Sequence, residues 1–253
     1  MLLDQRRQEI LNLIESAGFV ALQQLTDRAG VSESTVRRDL EYLERIGQIR
    51  RTRGGAAYVG ESLTPLDERA AKSLPQKQAI GRAAAALVQE GEAVLLDGGT
   101  TTLEVARNLI GKSLQVVTNS IPVVNLLANQ PQIELLVIGG YLYPKTGVAL
   151  GPSAMGVLSQ IHVRQLFMSV GGITEKGLYN SNALLADTER SMLSAAEEVI
   201  VVTDSGKLGH SALAHLCPLD RVQRVVVDAG ISEEWKRTLT SAGIVLTIAE
   251  DEK

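Results

Sequence analysis

The chain has 253 residues, of which 45% are hydrophobic and only 3% aromatic, and its formal net charge is −4. This length suits two domains, or one large α/β domain with an appendage, and the net charge excludes a generic polycation. The single cysteine, Cys217, excludes an intrachain disulfide and a four-cysteine zinc site, and His162, His210 and His215 lack metal-ligand spacing. We therefore expect no metal and no cofactor.

The N-terminus and the hydropathy of the chain predict a cytoplasmic protein. The first segment, MLLDQRRQEI, has no basic region followed by a long apolar core, so no signal peptide is expected. No apolar run approaches the ~20 residues that a helix needs to cross a bilayer. One unpaired cysteine fits a reducing compartment, and no membrane partner is expected.

The N-terminal quarter of the chain predicts three helices. Apolar residues recur at helical spacing through Asp4–Ala17, and a short extended piece, Phe19–Ala21, follows. Leu22–Ala29 is the second predicted helix. Ser32 is the predicted N-cap of the third, which runs to about Ile46.

The third helix has two different faces. Val36, Leu40 and Leu43 form an apolar stripe that should face the first two helices. The opposite side carries Ser34, Thr35, Arg37, Arg38, Glu41 and Arg45. Two short strands, Gln48–Arg53 and Ala56–Val59, are then predicted to form a hairpin around Gly54-Gly55.

This order of helices and hairpin predicts a DNA-binding unit. A helix fits the major groove, and polar residues near its N-terminal end reach base edges. Arg37 and Arg38 point ~100° apart, so one is expected to read a guanine edge while the other holds a phosphate. Hairpin arginines would meet phosphates or the neighbouring minor groove. The predicted DNA-contacting residues are Ser32, Ser34, Thr35, Arg37, Arg38, Arg45, Arg50, Arg51 and Arg53.

A helical hairpin with a solvated arginine face is the alternative, because helix–turn–helix units also mediate protein contacts. Asp39, Glu41 and Glu44 partly neutralise the arginines. Asp39 could instead orient Arg38 or Arg45 by ion pairing.

The pattern changes after a predicted linker at 60–75, where Pro65 and Pro75 act as breakers. The domain prediction is therefore a DNA-binding domain at 1–59 and an effector-sensing domain at 76–253. In the second domain, aliphatic runs alternate with helical stretches, which predicts an α/β fold with a mostly parallel sheet and right-handed crossovers. The seven predicted strands are Ala93–Leu96, Gln115–Val117, Glu134–Ile138, Leu166–Val170, Val199–Val202, Arg224–Val227 and Val245–Ile248.

The first of these strands runs into Asp97-Gly98-Gly99-Thr100-Thr101-Thr102 and then into a helix. Free backbone N–H groups, hydroxyl donors and the helix dipole favour a phosphate there, and Asp97 could accept from a sugar hydroxyl. Ordinary turns are the alternative.

Ligands of open α/β sheets bind outside the carboxyl ends of the strands, where other loops of this chain also carry small or polar residues. Tyr179–Asn182 could line the same pocket. The predicted effector-binding residues are Asp97, Gly99, Thr100, Thr101, Thr102, Thr118, Asn119, Gly139, Gly140, Gly171, Gly172 and Lys207.

The stretch VSESTVRRDLEYLERIGQIRRTRGGA resembles the winged helix–turn–helix signature of the DeoR family of bacterial sugar-metabolism regulators. The resemblance is carried by Val31-Ser32, Thr35–Leu40, Gly47 and Arg53–Gly55. It implies a C-terminal domain of the ribose-5-phosphate isomerase and CoA-transferase type that senses phosphorylated sugars. The family's Asp-x-Gly-Thr-Thr loop matches Asp97–Thr101, and its Asp-x-Ser-Lys segment matches less closely, with Gly206 where serine is usual. Arg69 and Lys77 fit the family's Arg…Lys pattern.

Together these features predict a repressor of a sugar catabolic operon. We expect a homodimer or homotetramer that binds double-stranded operator DNA and a small phosphorylated sugar. An unphosphorylated sugar or a nucleoside is the alternative ligand, and a phosphosugar isomerase-like enzyme is the alternative function. Catalysis is not expected, because the Asp-x-x-Asp-Gly and Lys-Gly-x-Gly-Gly segments that such isomerases carry are absent from the sequence. Among the available carboxylates, Asp187 and Glu189 do not share a helical face.

Overall fold

The computed structural model describes residues 3–17, 19–45, 48–52, 54–58 and 66–250. The N-terminal part contains three helices and a three-stranded antiparallel sheet with strand order β1-β3-β2. Its elements are α1 (Leu3–Ala17), β1 (Phe19–Ala21), α2 (Leu22–Ala29), α3 (Glu33–Arg45), β2 (Ile49–Thr52) and β3 (Gly55–Tyr58). The predicted order is confirmed, and each predicted element overlaps its observed counterpart.

The apolar stripe of α3 forms the centre of the N-terminal core. Val36, Leu40 and Leu43 are buried against Ile10 of α1 and Leu25 of α2, as predicted. The start of α3 is also as predicted, because the Thr35 backbone N–H donates to Ser32 Oγ at 3.4 Å.

The segment predicted as a linker contains helices. Helix α4 (Leu66–Ala71) lies inside it, and α5 (Leu74–Ala85) begins inside it. Pro75 was predicted to be a breaker, and this is wrong for a physical reason. It stands in the first turn of α5, where a missing N–H removes no intrahelical hydrogen bond.

The rest of the chain is built on a seven-stranded parallel sheet with the order β15-β14-β12-β9-β4-β5-β6. Each of the seven predicted strands overlaps one of its members. These are β4 (Ala93–Leu96), β5 (Leu114–Thr118), β6 (Ile133–Val137), β9 (Val163–Met168), β12 (Ala196–Thr203), β14 (Arg224–Asp228) and β15 (Val245–Ala249).

Helices cover both faces of this sheet, which is why its central strands are aliphatic throughout. On one face α5, α6 (Thr100–Leu109) and α7 (Ile121–Leu127) contribute residues such as Ile80, Val105 and Val123. On the other, α8 (Pro152–Leu158), α9 (Ala183–Ser194) and α10 (Glu233–Ser241) contribute residues such as Met192 and Leu239. None of the helices in the described residues has the length and apolar character to cross a bilayer.

Short antiparallel strands that the sequence did not predict follow the carboxyl ends of three parallel strands. The strands β7 (Tyr141–Tyr143) and β8 (Val148–Leu150) form one hairpin after β6. A second small sheet contains β10 (Gly172–Thr174), β11 (Gly177–Asn180) and β13 (Ala214–Cys217). Because β10 follows β9 and β13 follows β12, these additions begin at the carboxyl edge of the large sheet.

Candidate DNA interface and effector site

The N-terminal half of α3 presents a polar surface to solvent, with Ser34, Arg37 and Arg38 exposed. Arg37 Nη2 lies 2.7 Å from Glu33 Oε1, an exposed ion pair four residues apart on the helix. Arg38 has no hydrogen bond or ion pair within the part of the chain that the structure describes. Of the two arginines, Arg38 is therefore the one whose guanidinium needs no release before it contacts a base or a phosphate.

The acids of α3 do not neutralise that arginine. Asp39 is 1% exposed and points toward α1, where its oxygens lie 2.6 Å from Arg6 Nε and 3.0 Å from Arg7 Nε. The hypothesis that Asp39 orients Arg38 or Arg45 is therefore wrong. A carboxylate buried on the core side of a helix needs cationic partners from another element, and α1 supplies both.

Glu44 binds Arg51 of the β2–β3 hairpin rather than the exposed arginines of α3. Its two oxygens accept hydrogen bonds from the Arg51 backbone N–H at 2.9 Å and from Arg51 Nε at 2.7 Å. The backbone bond, followed by the side-chain bond, lowers the pKa of the Glu44 carboxyl. Arg50 stays exposed beside this pair, and Arg45 lies over the Tyr42 ring at 5.4 Å. Arg53 lies outside the described residues.

In the second part of the chain, the sheet order brings most of the predicted effector loops to one edge. The strands β12, β9, β4, β5 and β6 are neighbours in that order and run parallel, so their carboxyl ends meet. The loops that begin at Asp204, Ser169, Asp97, Asn119 and Ile138 therefore form one row.

The Asp97–Thr102 loop is the tightest part of this row. Asp97 is 2% exposed. A Cβ atom on Gly98 would lie 1.9 Å from Val148 Cγ1, and one on Gly99 would lie 2.0 Å from Ser169 Oγ. Only glycine lets the loop pass this close to β8 and to the end of β9.

A cleft opens beside this loop. It is lined by Arg69, Gly98, Thr146, Ser169, Val170, Gly171, Asn180, Ser181, Leu185 and Glu189. The prediction that the Tyr179–Asn182 segment lines the pocket is confirmed for Asn180 and Ser181. The enclosed cavity is only ≈ 30 Å³, room for a water or two, so a larger ligand requires its walls to separate.

One carboxyl group, that of Glu189, lines this cleft, and the buried Asp97 directly precedes Gly98 of the lining. Burial raises the pKa of Asp97 to about 6, against backbone hydrogen bonds from Gly98 and Ser169 and the charge of Arg69, which lower it. Burial, and then the charge of Asp97, raises the pKa of Glu189 well above its usual range. Asn180 Nδ2 opposes this by donating to Glu189 Oε1 at 2.7 Å. Burial and mutual repulsion therefore both oppose the ionisation of the second of these two carboxyl groups.

Three buried oxygens around the cleft have no hydrogen-bond partner among the described residues. They are Asp97 Oδ2, Glu189 Oε2 and Thr146 Oγ1. An unsatisfied buried polar atom costs about 1–3 kcal/mol, so three near one cavity mark a place where water or a ligand can supply the missing hydrogen-bond partners. The hydroxyl groups of a sugar can both donate and accept such bonds.

Other predicted effector residues already have structural partners. The Thr118 hydroxyl donates to the Leu96 carbonyl at 2.7 Å, and the Thr102 hydroxyl donates to the Gly99 carbonyl at 2.9 Å. Asn119 Nδ2 donates to the Ala149 carbonyl at 2.9 Å, and its buried Oδ1 has no hydrogen-bond partner among the described residues. Thr100 and Thr101 are buried in the first turn of α6.

The remaining predicted effector residues lie around the cleft rather than in it. Gly171 lines the cleft, whereas Gly172 pairs within the small sheet. Gly139 and Gly140 are exposed beyond β6. Lys207 ends a short 3-10 turn after β12 and is not among the residues that line the cleft as the structure describes it.

The structure adds cleft residues that were absent from the predicted effector set. Arg69 was noted only for a family pattern, and Ser169 had no signal beyond its place at a strand end. Glu189 was considered only with its chain neighbour Asp187, because carboxylate pairs were sought within one helix. The carboxyl group that acts on it, Asp97, lies 92 residues earlier in the chain, in the loop after β4.

Comparison with known proteins agrees with this architecture. Residues 6–62 match the family described as the DeoR-like helix-turn-helix domain, and residues 72–229 match the DeoR C terminal sensor domain. The chain belongs to the DeoR family of transcriptional regulators. Within the family it is 35% identical, over 97% of its own length and 94% of the relative's, to an aga operon transcriptional repressor of Escherichia coli O157:H7. It is 29% identical to the regulator UlaR of Escherichia coli K12, over 95% and 96% of the two chains.

Solved structures resemble this DeoR-family chain more distantly. Ribose 5-phosphate isomerase A from Neisseria gonorrhoeae shows 18% identity over 52% of each chain, with a TM-score of 0.39. The translation initiation factor eIF-2B of Pyrococcus horikoshii shows 14% identity over 81% of this chain and 74% of its own, with a TM-score of 0.38.

Proposed function

We propose that this DeoR-family regulator represses a sugar catabolic operon, and that a phosphorylated sugar bound beside Asp97 either weakens or strengthens its binding to operator DNA. The proposed domains are a DNA-binding domain at 1–59, a connection at 60–75 and a sensor at 76–253. The observation that carries the sugar part is the group of buried, unpartnered oxygens on Asp97, Glu189 and Thr146. The names of the relatives, an aga operon repressor and UlaR, support an operon regulator.

The hydroxyl groups and the phosphate of the ligand would contact different groups of this site. Hydroxyl groups would donate to Asp97 Oδ2 and would hydrogen-bond Glu189 Oε2, which donates to them where this carboxyl is protonated. A phosphate would lie at the N-terminus of α6, where the first backbone N–H groups have no intrahelical acceptor and Arg69 adds a positive charge nearby. An unphosphorylated sugar satisfies only the first set and remains the alternative ligand.

Screening a panel of pentose, hexose and hexosamine phosphates by thermal shift tests this assignment, with the free sugars and inorganic phosphate as separate arms. A shift with sugar phosphates alone supports the proposal. A larger shift with the free sugars would replace it with the alternative ligand.

Thr100→Val and Lys207→Ala are each expected to weaken binding of the best panel compound at least tenfold, a loss of ~1.4 kcal/mol or more. The first removes a hydroxyl at the proposed phosphate position, and the second removes a cation from the same edge of the sheet. Calorimetric titration measures the loss, and Lys176→Ala, an exposed lysine on the β10–β11 turn, is the control. Operator affinity without ligand should not change. Wild-type ligand affinity in both variants would place the effector site elsewhere.

On the DNA side, we propose a dimer or tetramer that sets two copies of α3 on repeated half-sites of double-stranded operator DNA. Arg38 reads a base or holds a phosphate, and Ser34, Thr35, Arg37, Arg45 and the hairpin arginines, Arg53 included, position the helix.

Arg38→Ala should weaken operator binding by ~1–3 kcal/mol and relax the sequence preference at one base pair. The physical reason is that its guanidinium is exposed and forms no bond within the described protein. Fluorescence anisotropy with operator variants, selected from genomic fragments by the wild-type protein, measures both effects. Arg221→Ala, an exposed arginine of the sensor domain, is the charge-matched control. Unchanged affinity with unchanged preference would remove Arg38 from the interface.

Enzymatic turnover is a second candidate function, and one observation supports it. A buried carboxyl such as Asp97, with its pKa raised to about 6, is suited to proton transfer near neutral pH. We propose binding without turnover, because the relatives are transcriptional regulators. Incubation with each sugar phosphate that shifts the melting temperature, followed by product analysis, distinguishes the two. Conversion by the wild type that Asp97→Asn abolishes would establish an enzyme.

A further inference from the structure

The helix α4 belongs both to the cleft and to the connection with the DNA-binding region. Arg69 of α4 lines the cleft together with Gly98 and Glu189, and its charge acts on Asp97. In the chain, residues 59–65 separate α4 from β3 of the winged hairpin. One cationic side chain of this connection therefore responds to whatever occupies the cleft.

The junction between α4 and α5 has an unusual backbone. Ser73 has φ of 53°, the only positive φ at a non-glycine residue within the described ranges. A non-glycine residue keeps this conformation only when its surroundings hold it. One such hold is the Lys77 side chain, 3% exposed on α5, whose Nζ donates to the Arg69 backbone carbonyl.

The part of α4 whose burial is described, Glu68–Ala71, has no buried residue. The helix α9, which also lines the cleft, buries six residues, among them Leu185, Met192 and Leu193. Segments with few buried contacts move at a lower free-energy cost, so α4 should move more easily than α9.

Ligand entry requires such a movement. The enclosed cavity is ≈ 30 Å³, whereas pockets for small molecules usually span about 300–1,000 Å³. An entering phosphate competes with the Asp97 carboxylate for the guanidinium of Arg69.

We propose that Arg69 couples occupancy of the cleft to operator binding, by drawing α4 into a second position around Ser73 when an anionic sugar derivative enters the cleft that Arg69 lines. The class of ligand rests on the proposed function. The coupling itself rests on Arg69 in the cleft, the Lys77 contact and the junction at Ser73. Effector and operator then bias the same two positions of α4, as linkage between two sites requires.

Operator affinity measured without ligand and with a saturating panel sugar phosphate tests the coupling. The wild-type ratio of these affinities is expected at about 5–150-fold, the usual range for such switches. Arg69→Ala should reduce the ratio to within twofold of one. Glu68→Ala, on the exposed side of the same helix, should keep the wild-type ratio. Lys77→Met keeps the guanidinium and removes the hold on α4, so it should retain ligand binding and lower the ratio at least threefold.

A wild-type ratio in folded Arg69→Ala protein would overturn the inference. If Arg69→Ala does not fold, a wild-type ratio in Lys77→Met overturns it equally. Should no panel compound bind the wild type, the proposed function fails, and the coupling is still tested without ligand. In that case Arg69→Ala should change operator affinity at least fivefold while Glu68→Ala changes it less than twofold, and equal affinities would overturn the inference.

Discussion

Asp39→Ala is expected to lower the free energy of unfolding of the winged helix–turn–helix by about 2–3 kcal/mol and to weaken operator binding more than tenfold. The carboxylate is buried between Arg6 and Arg7, so its removal leaves two guanidinium groups without their anion. Breaking a fully buried pair costs about 3–5 kcal/mol. The value here should be lower, because the arginine side chains keep 13% and 20% of their surface in solvent.

The effect on DNA follows from the place of Asp39 on α3, the proposed recognition helix. It lies on the core side of α3, directly after Arg38, and fixes α3 against α1. Loss of that contact lets the exposed side of α3 shift relative to the hairpin. Affinity would then fall although no DNA-facing group is changed.

Two observables separate this effect from a general loss of stability. The only tryptophan, Trp235, lies in the sensor domain, so its fluorescence transition should not move. Circular dichroism should show an earlier transition for the N-terminal helices. Glu33→Ala removes an exposed i,i+4 pair on the same helix and should change stability by only ~0.5 kcal/mol. Equal effects of the two substitutions would show that the Asp39 pairs contribute no more than a surface contact.

Asp39 also shows which part of the structure could not be predicted from the sequence. The apolar stripe Val36, Leu40 and Leu43 was predictable because helical periodicity alone places those residues on one face. Whether an acid beside that stripe faces solvent or the core depends on partners from another helix. The arginines of α1 are 33 and 32 residues away in the chain, and no local pattern links them to Asp39.

The sensor domain shows the same division. Its seven parallel strands were predictable because each is an aliphatic run between helical stretches. The strands of the small sheets, such as Tyr141–Tyr143, are too short to show a period. One of these short strands, β11, nevertheless contributes Asn180 to the cleft. The glycine and threonine loop was recognisable, but its pairing with Glu189 and Arg69 depends on tertiary packing.

Asp97→Asn is expected to stabilise the ligand-free protein at pH 8 by about 3 kcal/mol while weakening sugar-phosphate binding more than tenfold. The pKa of this carboxyl is near its ordinary value of 3.8 when the protein is unfolded and about 6 when it is folded. The folded state therefore binds more protons between these values, and wild-type stability falls as the pH rises from about 4 through 6. Asparagine has no proton to lose, so the variant should lack this decline. Glu189, with its pKa also raised, contributes in the same direction.

Asp228→Asn is the matched control, because Asp228 is a buried carboxylate with its hydrogen bonds satisfied. It accepts from the Ser205 backbone N–H at 2.6 Å, from Ser205 Oγ at 2.9 Å and from the Gly230 backbone N–H at 2.9 Å. Its substitution should destabilise the protein, since an amide matches these donors poorly. Thermal melts from pH 4 to 8, with and without the best sugar phosphate, show in one experiment whether each substitution stabilises or destabilises the protein. Substitution of a carboxylate that serves the folded structure should destabilise the protein. Substitution of one that serves a ligand should stabilise it. Destabilisation by Asp97→Asn with undiminished ligand binding would place Asp97 in the first class and the effector elsewhere.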